Sequence, residues 1–144
     1  MSPAEIEAFL HEKIPLSQAM GVRVESCDAE GLVLTAPLEP NHNHLGTAFG
    51  GSLAALATLT GYACLWHALD DREAHVVIRR SELDYRHPVR GTLRAICPRP
   101  EEKELEAFRA TFAKAGKARI FLEVTVEEEM GVCLHFRGDF VAIR

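Results

Sequence analysis

The sequence lacks the features that define several protein classes. Its four cysteines, Cys27, Cys64, Cys97 and Cys133, are each more than 30 residues apart, so it has no Cys-x-x-Cys pair and no zinc-finger spacing. It begins MSPAEIEAFL, which contains neither a basic residue nor a long apolar run. We therefore expect no secretory signal, a cytoplasmic protein and reduced, buried thiols.

The composition fits one soluble globular domain. The chain has 144 residues, 47% of them hydrophobic and 26% charged, with no repeat and no Pro/Gly/Ser linker to divide it. This length predicts a single domain over residues 1–144, long enough to bury a substantial core. A net charge of −5 makes nucleic acid an improbable partner.

One long segment has no charge of either sign. Residues 45–68 contain no Lys, Arg, Asp or Glu. Their length is in the range of a membrane span, but glycines interrupt the segment and Asp70-Asp71-Arg72 follows it. The pattern instead predicts a helix over Gly51–Leu69 that is apolar on all sides and buried. Because one small sheet cannot cover such a helix, we expect a homodimer or tetramer and no membrane partner.

The remaining pattern is that of an α+β fold. A short amphipathic helix starts at Pro3, and Pro15 either ends it or begins another turn. Strands are predicted within 21–38, 75–85, 92–97, 118–127 and 132–143, and a short helix between Pro100 and Gly116. The apolar alternation in 75–85 slips by one residue, which predicts a bulge near Ser81.

The segment before the long helix carries the chemistry. Gly50 and Gly51 at a helix start let a ligand approach the backbone, and the first-turn N–H groups have no partner inside the helix. Such amides favour an anion, or an oxygen that becomes anionic during acyl transfer. Asn43 lies just before them and could hold a carbonyl or a water. The alternative is a tight loop in which glycine serves backbone geometry alone.

The string Asn43-x-x-Gly46-Thr47-Ala48-Phe49-Gly50-Gly51-Ser52-Leu53 resembles hotdog-fold thioesterases. Phe49, in place of a His before the two glycines, makes it most similar to the putative thioesterase domain of the YiiD C-terminal type. Residues 86–89 and 112–120 also fit that group. The resemblance implies a curved antiparallel sheet wrapped around a long central helix.

The resemblance also implies an activity. It points to hydrolysis of an acyl-CoA or acyl-carrier thioester by a dimer whose sheets join. Asn43 would orient the thioester or water, and the Gly50 and Gly51 amides would polarise the carbonyl. Relatives carry a Glu or Asp seven residues past the second glycine, but here that position is Thr58, which is no base at neutral pH without a partner.

Two other functions remain open from the residues. Because no acid lies between Gly51 and Asp70, the protein could be a non-hydrolytic acyl-thioester-binding module. A hydratase or dehydratase on the same fold is weaker, since no His and Asp stand at matching positions. Glu82 and Asp84 are the nearest acids in the predicted sheet, and one could reach a site across a dimer.

Charge along the chain is uneven. Residues 72–99 carry seven Arg against three acids, a local charge of +4 in a chain of −5. Arg79, Arg80 and Arg86 are therefore candidates to hold the phosphates of coenzyme A, which enters only as part of the substrate. The alternative is a set of solvated strand faces that discourage edge pairing. No separate cofactor is expected. His42 and His44 lack a third ligand nearby, so no metal is expected.

Overall fold

The computed structural model describes all 144 residues and contains four helices and six strands. The helices are α1 Pro3–Lys13, α2 Pro15–Ala19, α3 Gly50–Leu69 and α4 Glu102–Ala115. The strands are β1 Arg23–Asp28, β2 Gly31–Ala36, β3 His75–Tyr85, β4 Leu93–Pro98, β5 Lys117–Glu128 and β6 Gly131–Ile143. Pro15 thus begins a second short helix.

One antiparallel sheet wraps around the central helix. Its strand order is β1-β2-β4-β5-β6-β3, so β1 and β3 are the edges. α3 contacts β2, β3, β4, β5 and β6, which curve around it, and α1 also packs against it. Strands β4 and β5 pair only near Ala95 and Ile96, and the apolar side of α4 (Leu105, Phe108 and Phe112) is buried in the core beside β5. The predicted α+β arrangement of a curved sheet around a long helix is confirmed.

Helix α3 starts at Gly50, one residue before the predicted start. Its length and composition would allow it to cross a membrane, but 61% of its most apolar window is buried inside the protein. The helix ends at Leu69, and Asp70 caps it in a left-handed conformation with φ of 51°. Its burial is that of a core helix.

Within a single chain, α3 is not covered on all sides. Gly51 is exposed, and Ala54, Ala55, Thr58 and Tyr62 are only half-buried. These five residues lie within one narrow sector of the helix, since each turn takes 3.6 residues. We call them the open side of α3. Neither the sheet nor α1 covers this side completely.

The bulge in β3 lies two residues before its predicted position. Ile78 pairs with Phe140 and Arg80 with Asp139, so Arg79 is the extra residue, whereas Ser81 pairs regularly with Gly138. The slip turns the apolar residues before and after it to one face. That face, which we call the inner face, packs on α3, and the opposite outer face carries Glu82 and Asp84.

The four cysteines are free. Cys64, Cys97 and Cys133 are buried as expected, whereas Cys27 is only half-buried because it lies on the edge strand β1. Burial raises the pKa of both the Cys27 and the Cys133 thiol. The neutral thiol is therefore favoured at these two positions.

A close approach between α3 and β6 generates a stability prediction. A Cβ atom on Gly61 would collide with Cζ of Phe140, a buried ring. Gly61→Ala should therefore lower the free energy of unfolding by about 1–3 kcal/mol through overpacking. This loss should appear although Ala favours a helix over Gly by about 0.5–1 kcal/mol.

Denaturant unfolding of four proteins checks this: the wild type, Gly61→Ala, Phe140→Leu and the double variant. If the ring causes the loss, Gly61→Ala should cost little once Phe140 is Leu. An equal cost in both backgrounds would show that the ring is not responsible.

Candidate functional site

The loop before α3 is anchored by a buried asparagine that sequence reasoning missed. Asn41 is 3% exposed, and its Nδ2 donates to the carbonyl oxygens of Met20 and Pro37, at 2.8 Å each. The backbone carbonyl of Asn41 accepts a hydrogen bond from the Phe49 backbone amide at 2.7 Å. Asn41 therefore fixes both the start of the loop and the residue before α3. No sequence pattern marks it, because its partners are backbone atoms of distant segments.

Asn43 organises the same loop from inside. Its Oδ1 accepts from the amides of Leu45 (2.9 Å) and Thr47 (3.1 Å). Its Nδ2 donates to Thr47 Oγ1 at 2.9 Å and to the Ala48 carbonyl at 3.4 Å. Both amide hydrogens are thus engaged within the loop. A direct contact between Asn43 and a substrate would need one of these bonds to open.

The first turn of α3 presents unpartnered amides. Phe49 is the N-cap residue, and no side chain caps the helix. The Phe49 amide is bonded to Asn41, whereas the amides of Gly50, Gly51 and Ser52 have no backbone or side-chain acceptor. We call these three groups the free amides. Together with the helix dipole, they favour negative charge at this point.

Two aromatic rings flank the free amides. The Phe49 ring lies against Gly51, where an added Cβ would be 2.5 Å from Phe49 Cε2. The Tyr85 ring, at the end of β3, lies 3.6 Å from the Cβ position of Gly50, and its hydroxyl donates to the Gly50 carbonyl at 3.4 Å. A side chain at position 51 would therefore require the Phe49 ring to move.

Thr58 lies two turns further along the open side of α3. Thr58 is the seventh residue after Gly51, and seven residues span about 10 Å along a helix. Its hydroxyl donates to the Ala54 carbonyl at 2.8 Å. The oxygen can still accept a hydrogen bond, but the hydroxyl proton is engaged.

The structure disperses the basic segment. Arg79 Nη1 lies 3.8 Å from Asp139, and Arg86 Nε lies 2.9 Å from Asp84. Arg80 makes no ion pair. Three further arginines are paired with acids: Arg72 with Glu5, Arg94 with Glu25 and Arg99 with Glu102. Ion pairing therefore neutralises much of the local positive charge, and the basic segment does not form one continuous basic surface.

The acids proposed as an alternative base point away from α3. Glu82 and Asp84 lie on the outer face of β3, where Glu82 is 3.8 Å from Arg137 and Asp84 pairs with Arg86. Tyr85 is on the inner face and reaches the first turn of α3. Within one chain, no carboxylate comes from α3 or from residues 41–49 before it.

The two histidines of the loop belong to no cluster of side chains that could bind a metal ion. His42 Nδ1 lies 2.9 Å from the Asn43 carbonyl, and both His42 and His44 are exposed. The structure gathers no group of three or more His, Cys, Asp or Glu side chains that could hold a metal ion.

Known proteins share this fold. A protein of unknown function from Chlorobaculum tepidum TLS aligns with a TM-score of 0.89 and 34% identity, over 99% of this chain and 94% of its own. A putative thioesterase from Shewanella oneidensis aligns with a TM-score of 0.84 and 26% identity, over 99% of this chain and 97% of its own. A thioesterase from Haemophilus influenzae has the same fold, with a TM-score of 0.68 and 16% identity over 100% of this chain and 92% of its own. The family model described as "Putative thioesterase (yiiD_Cterm)" matches residues 3–144. The chain is a hotdog-fold protein and belongs to the YiiD C-terminal putative thioesterase family.

Proposed function

We propose that this protein is a thioesterase that hydrolyses the thioester of an acyl-CoA. The observation that carries the proposal is the set of free amides at Gly50, Gly51 and Ser52. When water attacks a thioester carbonyl, the carbonyl oxygen becomes an anion before the carbon–sulfur bond breaks. Preorganised N–H groups aimed at that oxygen stabilise it without reorganising during the reaction. The products are a carboxylic acid and a free thiol.

The loop supports this role by holding the helix start in place. Asn41 binds the Phe49 backbone, and Asn43 fixes the turn that precedes it. In the proposed reaction Asn43 acts either as a positioning residue for the free amides or as a direct donor to the thioester. Thr58, on the same side of α3, would accept a hydrogen bond from the attacking water.

The proposal also covers the acyl carrier, the cellular compartment and the oligomeric state. Coenzyme A is favoured over a protein carrier because Arg80 extends from an edge strand and can pair with phosphate, as Arg79 could if it left Asp139. Arg80 is exposed and has no acidic partner, which leaves it free for such a contact. We propose a cytoplasmic homodimer that acts on soluble acyl-CoA.

A non-hydrolytic acyl-thioester-binding module is the second candidate. One observation favours it: the residue at the relatives' acid position, Thr58, donates its proton to Ala54, and no carboxylate comes from the same helix. Such a protein would bind the thioester at the free amides but leave water unactivated. Acyl-CoA hydrolysis followed by free-thiol detection separates the two candidates.

Replacement of Asn43 tests the site. Asn43→Ala should lower kcat/KM for acyl-CoA hydrolysis by about 10²–10³-fold, the typical cost of one lost oxyanion or carbonyl contact. Asn43→Asp keeps the Oδ1 acceptor for Leu45 and Thr47 but loses the Nδ2 donor. Near-normal activity in Asn43→Asp would identify a positioning role of Oδ1. Equal losses would show that the Nδ2 donor is needed, whether to hold Thr47 and Ala48 or to bind the thioester. Wild-type rates in both variants would show that the site lies elsewhere.

Replacement of Thr58 tests how water is activated. Thr58→Ala should cause a loss of about tenfold or more if the hydroxyl oxygen holds the water, whereas a packing role would leave the rate unchanged. Thr58→Glu restores the group that relatives use, and a clear gain in rate would show that the wild type is a binding module or a weak enzyme that lacks its base. Steady-state kinetics at several pH values measures both variants.

The open side of α3 generates a prediction about assembly. A partially covered apolar helix and the free edge of β3, eleven residues long, both favour association with a second copy. We expect a homodimer or tetramer by light scattering at micromolar concentration. Ala55→Glu should shift it toward monomer, whereas Met130→Ala, at a fully exposed hairpin, should not. A stable wild-type monomer would contradict the proposal.

A further inference from the structure

The outer face of the sheet contains a groove at the end where β6 finishes. β3, β6 and β5 lie side by side there, so Val77 pairs with Val141 and Val141 with Arg119, while the next row joins Ile143 to Lys117. The groove has a volume of about 520 Å³, and α4 reaches its rim. Cavities of about 300–1,000 Å³ are typical of small-molecule sites. We call it the outer groove, and it is defined by Val77, Arg79, Lys117, Arg119, Val141 and Ile143.

The floor of the outer groove is apolar, although the outer face of an antiparallel sheet normally presents polar residues to water. β6 ends in Phe140-Val141-Ala142-Ile143, so apolar residues occupy both of its faces. Phe140 and Ala142 are buried on the inner face, whereas Val141 and Ile143 point outward beside Val77. Val141 is only 7% exposed, and Val77 and Ile143 are 44% and 37% exposed. Such a surface, enclosed at its centre and open above, gains free energy when a hydrocarbon group covers it.

Cations line this floor. Lys117 and Arg119, on the β5 side, are exposed and lie next to no acidic residue of the groove. Arg79, on the β3 side, lies 3.8 Å from Asp139, its one acidic partner. The lining of the outer groove contains these three cations and no acid, in a protein of net charge −5. The groove therefore attracts an anion at the border of an apolar floor.

From this arrangement we propose that the outer groove binds a single-chain amphipathic carboxylate. The hydrocarbon chain covers Val77, Val141 and Ile143, and Lys117 and Arg119 hold the carboxylate on the neighbouring strand. The proposal does not depend on the proposed thioesterase site, because α3 and its free amides lie on the inner side of the sheet. Pairing of the β3 edge with a second copy would leave the groove open, since side chains stand perpendicular to a sheet.

An anionic membrane fits the same groove less well. A flat surface cannot reach a floor as enclosed as Val141, and the net charge of −5 opposes the approach of the whole protein to negative lipids. A dissolved amphiphile meets neither obstacle, because only the local charge of the groove acts on it at close range.

Three ligands that share an eight-carbon chain test the chemistry. Octanoate, octanol and octyltrimethylammonium differ in the charge of the head group. In calorimetric titrations of the full chain, octanoate should bind at about one site per chain and about tenfold more tightly than octanol. The ammonium ligand should bind most weakly, because Lys117 and Arg119 repel it. Acetate, which has the carboxylate without the chain, should not bind.

Three variants separate the groove from general charge effects. Arg119→Glu reverses one cation of the groove and should weaken octanoate binding by about tenfold or more, with little effect on octanol. Lys103→Glu makes the same charge change on the exposed side of α4, outside the groove, and should change the octanoate affinity by less than about twofold. Val77→Asn places a polar group on the floor and should weaken octanoate and octanol alike.

Labelling locates the bound chain without any variant. An octanoate with a diazirine at the end of its chain should label β3 and β6 after irradiation, as read by peptide mass spectrometry. Equal affinity for octanoate and octanol, equal losses in Arg119→Glu and Lys103→Glu, or labelling confined to α3 would overturn the inference. A fall in oligomeric mass caused by Val77→Asn would also overturn it, because a second copy would then occupy the groove. Binding to phosphatidylglycerol vesicles that is tighter than octanoate binding and lost in Arg119→Glu would assign the groove to a membrane and overturn it as well.

Discussion

The twenty residues of α3 contain no Lys, Arg, Asp or Glu. If nothing covered this helix, most of its apolar surface would be exposed to water. Burying a side chain such as Leu56 or Leu65 contributes about 1.5–3 kcal/mol each, so covering this helix supplies much of the free energy that drives folding. The sheet curves because five of its strands must reach one helix, and α4 adds its own apolar face where β4 and β5 separate. Gly61 lets the Phe140 ring approach the helix backbone directly.

The same helix supplies the site. An uncharged, uncapped first turn is costly if its amides stay without partners, and here it is fixed by Asn41 and Asn43 rather than closed by a capping side chain. The loop makes its hydrogen bonds within itself and to Met20, Pro37 and Val89, and it leaves the Gly50, Gly51 and Ser52 amides open. Burial of the rest of the helix anchors this first turn, which gives the free amides a constant direction.

Electrostatics in this protein is local. The arginines that form a basic segment in the sequence lie on different elements, and most of them pair with acids, such as Arg94 on β4 with Glu25 on β1 at 2.7 Å. This pair is about half exposed on both sides, so its contribution to stability is small. Its effect is to remove two charges from the surface seen by a phosphate. Arg80, without such a partner, is the stronger candidate for a substrate contact.

The sequence by itself determined the elements and their order, because these depend on local periodicity. The absence of charge over residues 45–68 predicted α3, and the slip of alternation after Ile78 predicted a bulge in β3. The string from Asn43 to Leu53 also indicated the family. Only the tertiary structure decided which partners the side chains take, since those partners come from segments far apart in the chain. It placed the bulge at Arg79, engaged both amide hydrogens of Asn43, and turned Glu82 and Asp84 away from α3. It also brought Tyr85 to Gly50, 35 residues away, which no local pattern encodes because strand pairing sets that distance.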